Sequence, residues 1–395
     1  MIKRTERTWL KPSAEIGSLC HVAKNLYNEA NYMVRQEFIE NGKWIRYNTL
    51  AFELKSSENY KTLPAQTAQQ ILKYIDRSWK SFFKAIKEWS RDKSKFEGRP
   101  KLPGYKDKDG EFMLVFTNQQ ARVRGGKLVF PGKTAVLNGL RCRVDSIQEV
   151  RIIPKAIGYV LEVVYEKDID IPKRDKSRIA SIDIGVRNLV TIANNIGKDP
   201  IVVKGGAAKS MNQYYNKEKS RIQSVYDKQE IAIGKAMKRL IVSRDKKMND
   251  YLHKVSRAVV DMLASDGIGT LVIGHSNGWK NSVNIGRRNN QSFVSIPFSR
   301  LIEMLSYKAE EAGIGVKIID ESYTSKCSFF DGEAVRKHSS YAGKRLNGLF
   351  KTAKRVLVNS DVNGAYNILR KAIPNAFADG IEGAVGHPVR LAVSF

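Results

Sequence analysis

Cysteine is scarce in this chain: among 395 residues only Cys20, Cys142 and Cys327 carry a thiol. They lie far apart and form no CxxC pair, so they supply neither a four-cysteine zinc site nor a disulfide framework. A reducing cytosol is the compartment this implies. Long uncharged apolar runs are missing as well, which excludes a membrane as partner. The opening MIKRTERTWLKP lacks the apolar stretch of a secretion signal, and a cytoplasmic protein is expected. No convincing internal repeat is found. Acidic residues are the minority charge: 40 Asp and Glu stand against 68 Lys and Arg, a formal balance of +28. An excess of that size, spread over most of the chain, calls for a polyanionic partner, and nucleic acid is the natural one.

What is present is the composition of a folded protein. Hydrophobic residues make up 42%, with 16 Tyr, 15 Phe and 5 Trp, and the length allows two or three domains. Helical spacing of Ile16, Leu19, Cys20, Ala23, Leu26, Tyr27, Ala30 and Met33 predicts a helix over Ser13 to Asn41, closed by Gly42. A second helix is expected from about Pro64 to Lys93. Its apolar side carries Ile71, Ile75, Trp79, Phe82, Phe83 and Ile86, interleaved with Lys73, Arg77, Lys80, Lys84, Lys87 and Arg91. A solvated face of a core helix is the ordinary explanation. In so basic a chain, the same face is a candidate surface for phosphates, with Lys80 and Lys84 upon it.

A connector rich in Pro, Gly and Lys, KFEGRPKLPGYKDKDG, follows from Lys95. Strand-like segments then succeed one another: FMLVFT, KLVF, RCRV, EVRIIP and YVLEVVYE. Met1 to Leu10 is expected to join them around the intervening helices, and KDIDIPKRDKSR reads as a hinge. From Ile179 the pattern becomes α/β: a hairpin in IASIDIGVRNLVTIANN, and a polar helical region from about Lys209 to Arg244. Next come a helix carrying Leu252, Val255, Val259 and Met262, and a strand Leu271 to Ile273. After a basic loop, a helix from Pro297 to Ala312, a strand Val316 to Asp320 and a final helix complete a mixed sheet.

Three acids stand at element ends of that α/β part. Asp183 follows an apolar strand, Glu321 follows VKIID, and Asp361 opens the last helix. Each alone has an ordinary explanation: a turn cap, an exposed strand-end acid, a helix N-cap. Together, in a strongly basic protein, they match two-metal phosphodiester hydrolysis. Hard Mg²⁺ ions take oxygen ligands, and a carboxylate-held pair about 4 Å apart can serve both the attacking and the leaving oxygen.

The segments SIDIGVRNLVTIANN, VIGHSNGWKNSVNIGRRNNQSFVSIPF, ESYTSKCS and NSDVNGAYNILRKA resemble the RuvC-like nuclease segments of the TnpB (OrfB) proteins of bacterial insertion sequences. That family is related to the compact type V CRISPR effectors. GRPKLPGYKDKDGEFMLVFTNQQARV resembles the family's connector into its wedge domain, and the resemblance extends to DGIEGAVGHPVR near the end. It implies an α+β multidomain protein. A β-barrel-like wedge module (1–12 and 105–175) would hold an inserted helical recognition lobe with connector (13–104). An RNase H-like (RuvC) α/β nuclease domain (176–395) would follow, with a target-nucleic-acid-binding insertion at about 325–357. It further implies a prokaryotic, transposon-associated, RNA-guided DNA endonuclease with one RuvC site. Its partners would be a guide RNA from the transposon end and double-stranded target DNA with an adjacent motif.

On this resemblance Asp183 is the first catalytic aspartate and Asp361 the last. Two departures follow. The family's glutamate ends the strand that here reads TLVIG, so its position holds Gly274. The two CxxC pairs of the family's zinc ribbon are reduced to Cys327, so zinc is not expected, and His338 is read as facing solvent or RNA. In an RNase H-like sheet the strand of Asp183 neighbours TLVIG, which neighbours VKIID, and adjacent strands lie about 4.8 Å apart. Relocation of the glutamate is therefore expected: Glu321 reaches across the space at Gly274, giving Asp183, Glu321 and Asp361 as metal ligands for two Mg²⁺. The alternatives are a nuclease-inactive RNA-guided repressor of the same family and, more remotely, a DNA-strand transferase. Arg187, Lys280, Arg287, Arg288, Lys326, Arg345 and Lys351 are the remaining candidate phosphate contacts. Trp279 is a candidate for base stacking, with core packing the ordinary explanation.

Overall fold

The computed structural model describes residues 2–230, 233–275, 295–378, 380 and 383–394. The basic loop after His275, with Trp279, Lys280, Arg287 and Arg288, lies outside the described residues. Contacts divide the chain into two compact units, Met1–Asp168 and Ile169–Phe395. Among the described residues no helix is long and apolar enough to cross a membrane.

In the first unit, β1 (Ile2–Leu10) pairs antiparallel with β6 (Tyr159–Lys167) along its whole length. With β5 (Glu149–Pro154) and β2 (Leu114–Thr117) they form a sheet in the order β1-β6-β5-β2. β3 (Arg122–Arg124) and β4 (Lys127–Val129) make a separate ribbon. The segment RCRV contributes no strand: its Arg141 makes only an isolated bridge to Lys127. Between β1 and β2 the chain forms four helices, α1 (Ala14–Asn41), α2 (Tyr47–Leu54), α3 (Glu58–Thr62) and α4 (Ala65–Arg91). The Ser13 side chain caps α1 by accepting from the Ile16 N–H, and Gly42, at φ +63°, ends it in the left-handed region. A cap of this kind contributes about 1 kcal/mol. Trp79 is fully buried, its indole N–H donating to Asn31 Oδ1 at 3.1 Å, with Phe38, Phe82 and Phe83 around it.

The second unit is organised by a mixed six-stranded sheet in the order β11-β10-β7-β8-β9-β15. β7 (Ile179–Asp183) and β8 (Asn188–Asn194) form a hairpin, and β9 (Ile201–Lys204) continues it antiparallel. β10 (Thr270–Gly274) lies parallel to both β7 and β11 (Gly315–Ile319), and β15 (Val389–Arg390) parallel to β9. The strand of Asp183 thus adjoins TLVIG, which adjoins VKII. Among the described residues the longer helices are α5 (Gly206–Lys228), α6 (Lys235–Ser265), α7 (Phe298–Glu311) and α8 (Ser360–Ala372). The polar stretch and the apolar stretch before Gly267 do not form separate helices as the periodicity suggests. The break falls between Lys228 and Lys235 instead, and α6 runs through both.

Side-chain alternation along the strands separates two faces. Ala180, Ile182, Ile192, Leu271 and Ile273 pack with α6 and α7 through Leu252, Val255, Leu301 and Leu305. Ile179 and Val272 pack instead with Ile368 and Leu369 of α8. The parity that puts Ile179 against α8 puts Ser181 and Asp183 there too, and the Ser181 hydroxyl donates to the Ala365 carbonyl at 2.6 Å. A small sheet of β12 (Lys344–Leu346), β13 (Leu349–Lys351) and β14 (Leu357–Asn359) precedes α8.

Candidate active site

Asp183 ends β7 on the α8 face, and α8 comes close because its facing residue is Gly364. A Cβ there would stand 2.9 Å from Asp183 Oδ2. Asp361 lies in the first turn of α8, but it is not the cap. Asn359 takes that role, its side chain accepting from the N–H groups of Asp361 and Val362. The Asp361 carboxylate is therefore free to turn toward Asp183. Its Oδ2 accepts from Asn188 Nδ2 at 2.8 Å, and its Oδ1 from Arg345 at 2.9 Å.

Glu321 follows the end of β11 in a turn whose Thr324 N–H and hydroxyl both donate to the Glu321 carbonyl. Its carboxylate comes back across the end of β10. A Cβ at Gly274 would meet Glu321 Oε2 at 3.2 Å and Ile368 Cγ1 at 3.0 Å. TLVIG ends on a residue without a side chain because that space is already filled, on one side by α8 and on the other by the glutamate. Asp320, the neighbouring acid, is exposed and pairs with Lys371 at 3.4 Å.

Asp183, Glu321 and Asp361 line one pocket of about 400 Å³, together with Asn188, Thr191, Arg345 and the Ser322–Ser325 turn. Loss of hydration, reinforced by the charges of Asp361 and Glu321, raises the Asp183 carboxyl well above the usual carboxylate range. Burial, with the charge of Asp320 beside it, pushes Glu321 up to about 7 against the opposing pull of Lys371. Acids that resist ionisation because anions crowd them favour a bound cation. The donor set is all oxygen, which suits a hard divalent ion. A second observation agrees: Thr191, opposite Asp183 on β8, is buried in the pocket wall, and its hydroxyl has no partner. As they stand, the described carboxylates do not close into a group of three able to hold an ion. The pull of Arg345 on Asp361 and the mutual repulsion of the anions work against closure.

Of the candidate cations in the described residues, the structure brings only Arg345 to this pocket. Arg187 is exposed against the β12–β13 turn, where a Cβ at Gly348 would come within 2.9 Å of its guanidinium. Lys351 and Lys326 are exposed, with Lys326 6.0 Å from the centre of the Tyr341 ring. Lys80 and Lys84 belong to the first unit; Lys80 pairs with Asp76 at 2.6 Å, and Lys84 is exposed. Around Cys327, asparagine and aromatic contacts do the bracing. Asn363 and Asn367 donate to the Cys327 carbonyl, and Phe329 stacks on Tyr366 at 4.6 Å. His338 is half-buried, one ring nitrogen 2.7 Å from the Ala334 carbonyl. Sequence reasoning missed Asn188, Thr191 and Gly364. For Gly364 a signal existed, a glycine inside a helix, which calls for a close approach. The other two had none.

Two family profiles match the chain, one described as Probable transposase over residues 162–280 and one as the Cas12f1-like TNB domain over residues 298–368. The TnpB-like protein ORF457 of Acidianus two-tailed virus is 24% identical, across 94% of this chain and 87% of its own. The putative RNA-guided DNA endonuclease InsQ of Escherichia coli (strain K12) is 24% identical, across 87% of this chain and 85% of its own. The CRISPR-associated endodeoxyribonuclease Cas12f1 of Sulfoacidibacillus thermotolerans is 30% identical over 55% of this chain and 50% of its own. The cryo-EM structure of a Cas12f1–sgRNA–target DNA complex shares the fold, with a TM-score of 0.57 at 13% identity over 90% of this chain and 82% of that one. The two profiles and these relatives together support a place for the chain in the TnpB family, related to the compact type V effectors.

Proposed function

We propose that this chain is an active RNA-guided DNA endonuclease whose single nuclease site uses Asp183, Glu321 and Asp361 to hold Mg²⁺. The observation that carries this reading is the convergence of the three carboxylates on one pocket, with Glu321 laid against Gly274. Mg²⁺, when bound, supplies a means of orienting water and of stabilising the oxygen that leaves the phosphodiester. The chain's own residues prepare the place. Asp183, desolvated beneath α8 and crowded by Asp361 and Glu321, would hold the ion with its carboxylate. Glu321 supplies charge from the end of β11 in place of a residue at the end of β10. Arg345, about half exposed at the side chain, carries positive charge at the pocket mouth, where a DNA backbone would enter.

In this reading the β-rich module (1–12 and 105–175) and the helical lobe (13–104) hold a guide RNA from the transposon end and the duplex of the target-adjacent motif. Base pairing then supplies sequence specificity, and the protein contacts backbone and shape. Exposed cations such as Lys84, Arg187, Lys326 and Lys351 serve the phosphates. The test is Mg²⁺-dependent cleavage of target DNA by the purified ribonucleoprotein. Asp183→Ala and Asp361→Ala are each expected to abolish cutting while leaving guide and target binding intact. A wild-type ribonucleoprotein that binds its target but never cuts would establish the repressor reading instead.

A further inference from the structure

The hairpin β7–β8 and its neighbour β9 contain one irregularity, and it lies beside the pocket. β8 pairs with β9 as Asn188↔Lys204 and then as Val190↔Val203, so Leu189 is an extra residue on β8. Leu189 and Val190 are consecutive, yet both are buried in the core on the α6 and α7 side. Simple alternation from Thr191 and Val190 would send Asn188 to that apolar core as well. The bulge reverses the parity. Asn188 emerges on the α8 face, almost fully buried, within hydrogen-bond reach of Asp361. Re-aiming one side chain is what a bulge does.

The orientation of the Asn188 amide is also determined. Lys204 Nζ lies 3.0 Å from Asn188 Oδ1. An ammonium group only donates, so the amide oxygen must face Lys204 and the NH₂ must face the Asp361 carboxylate. Lys204 is the cross-strand partner of Asn188, so the same irregular pair supplies both halves of the arrangement. The two oxygens of Asp361 are thereby made unequal. Oδ2 is held from the buried side by Asn188 at 2.8 Å, whereas Oδ1 accepts from Arg345, whose side chain is about half exposed at the pocket mouth, and at 3.3 Å from the neighbouring Ser360 hydroxyl.

We propose that Asn188, re-aimed by the β8 bulge and oriented by Lys204, is a positioning residue that fixes the Asp361 carboxylate, through Oδ2, in the orientation that would serve a metal ion. This inference rests on the metal-site reading above. Groups that orient a metal ligand from behind change metal affinity roughly 10–100-fold when removed.

The test is Mn²⁺ titration of the full-length chain without nucleic acid, free Mn²⁺ being read by electron paramagnetic resonance, and Asp183→Ala defining the signal that belongs to the site. Asn188→Ala is expected to weaken site binding roughly tenfold. Lys204→Met alters an exposed side chain and should leave the fold intact, yet it should weaken binding severalfold, and Lys204→Arg should restore it. Thermal melts of each variant in the absence of metal report any purely structural effect. If Asn188→Ala and Lys204→Met bind Mn²⁺ as wild type does, the positioning role is wrong while the metal site stands. If wild type shows no Asp183-dependent binding, the metal site is wrong, and the positioning role falls with it.

Discussion

The two faces of the central sheet are built from the same strands and behave as different materials. Toward α6 and α7, Ala180, Ile182, Ile192, Leu271 and Ile273 form a continuous apolar layer. Toward α8, Ser181, Asp183, Thr191 and the re-aimed Asn188 stand where apolar residues would pack better, and one buried hydroxyl lacks a partner. An apolar layer adds stability; crowded, half-buried carboxylates and an unsatisfied hydroxyl subtract it. The α8 face gives up stability for a pocket of concentrated negative charge, and the opposite face supplies the reserve that makes this tolerable.

The largest stability effect should come from the apolar face. Leu271→Ala removes a fully buried side chain from the apolar face of the sheet. It should cost roughly 2–5 kcal/mol, read as a lower denaturation midpoint in urea. On the other face, Gly274→Ala adds a methyl where Ile368 and Glu321 already meet. Ile368 is fully buried and has little room to give, so a loss of roughly 1–3 kcal/mol is expected. Cleavage should suffer as well, since the methyl displaces the Glu321 carboxylate. A tolerated, fully active Gly274→Ala would mean that the packing at the end of β10 is looser than the structure shows.

A smaller effect separates the faces by pH. Glu321 in the folded chain is raised to about 7 from an ordinary 4.5, and Asp183 is raised as well. In the window between those values the folded chain binds more protons than the unfolded one. Stability without metal should therefore be greatest below the unfolded value and fall as pH rises through about 7. Glu321→Gln should flatten part of that slope, by on the order of 1–2 kcal/mol between its ends. Mg²⁺ should offset the loss at the alkaline end by binding the ionised form. Thermal melts across pH, with and without Mg²⁺, measure all three. A slope of opposite sign would mean that these carboxyls are not the strained groups of the fold.

Much of this arrangement was legible in the sequence, and what was not has physical causes. Ser13 and Gly42 marked the ends of α1 because caps are local chemistry. The order of β7, β10 and β11 followed from the RNase H-like resemblance, and with it the approach of Glu321 to Gly274. Periodicity misplaced the break before α6, since exposed polar residues carry no signal for where a helix stops. RCRV alternates like a strand, but its pairing is confined to one bridge from Arg141 to Lys127. Asp361 was readable as a cap from its position, whereas Asn359 does the capping, a choice decided by a side-chain contact that no spacing reveals. The bulge at Asn188 lies deeper still. It depends on β9 pairing out of step, a relation between strands that neither sequence shows alone.

The central claim is that the charge absent at Gly274 is supplied by Glu321, and cleavage by paired variants tests it most directly. Target cutting by the guide-loaded protein in Mg²⁺ should be abolished by Glu321→Gln, which keeps the shape of the side chain and removes its charge. Asp320→Ala, next along the chain but exposed and paired with Lys371, should cut like wild type. Equal cutting by wild type and Glu321→Gln would contradict the account and leave the pocket without its third carboxylate.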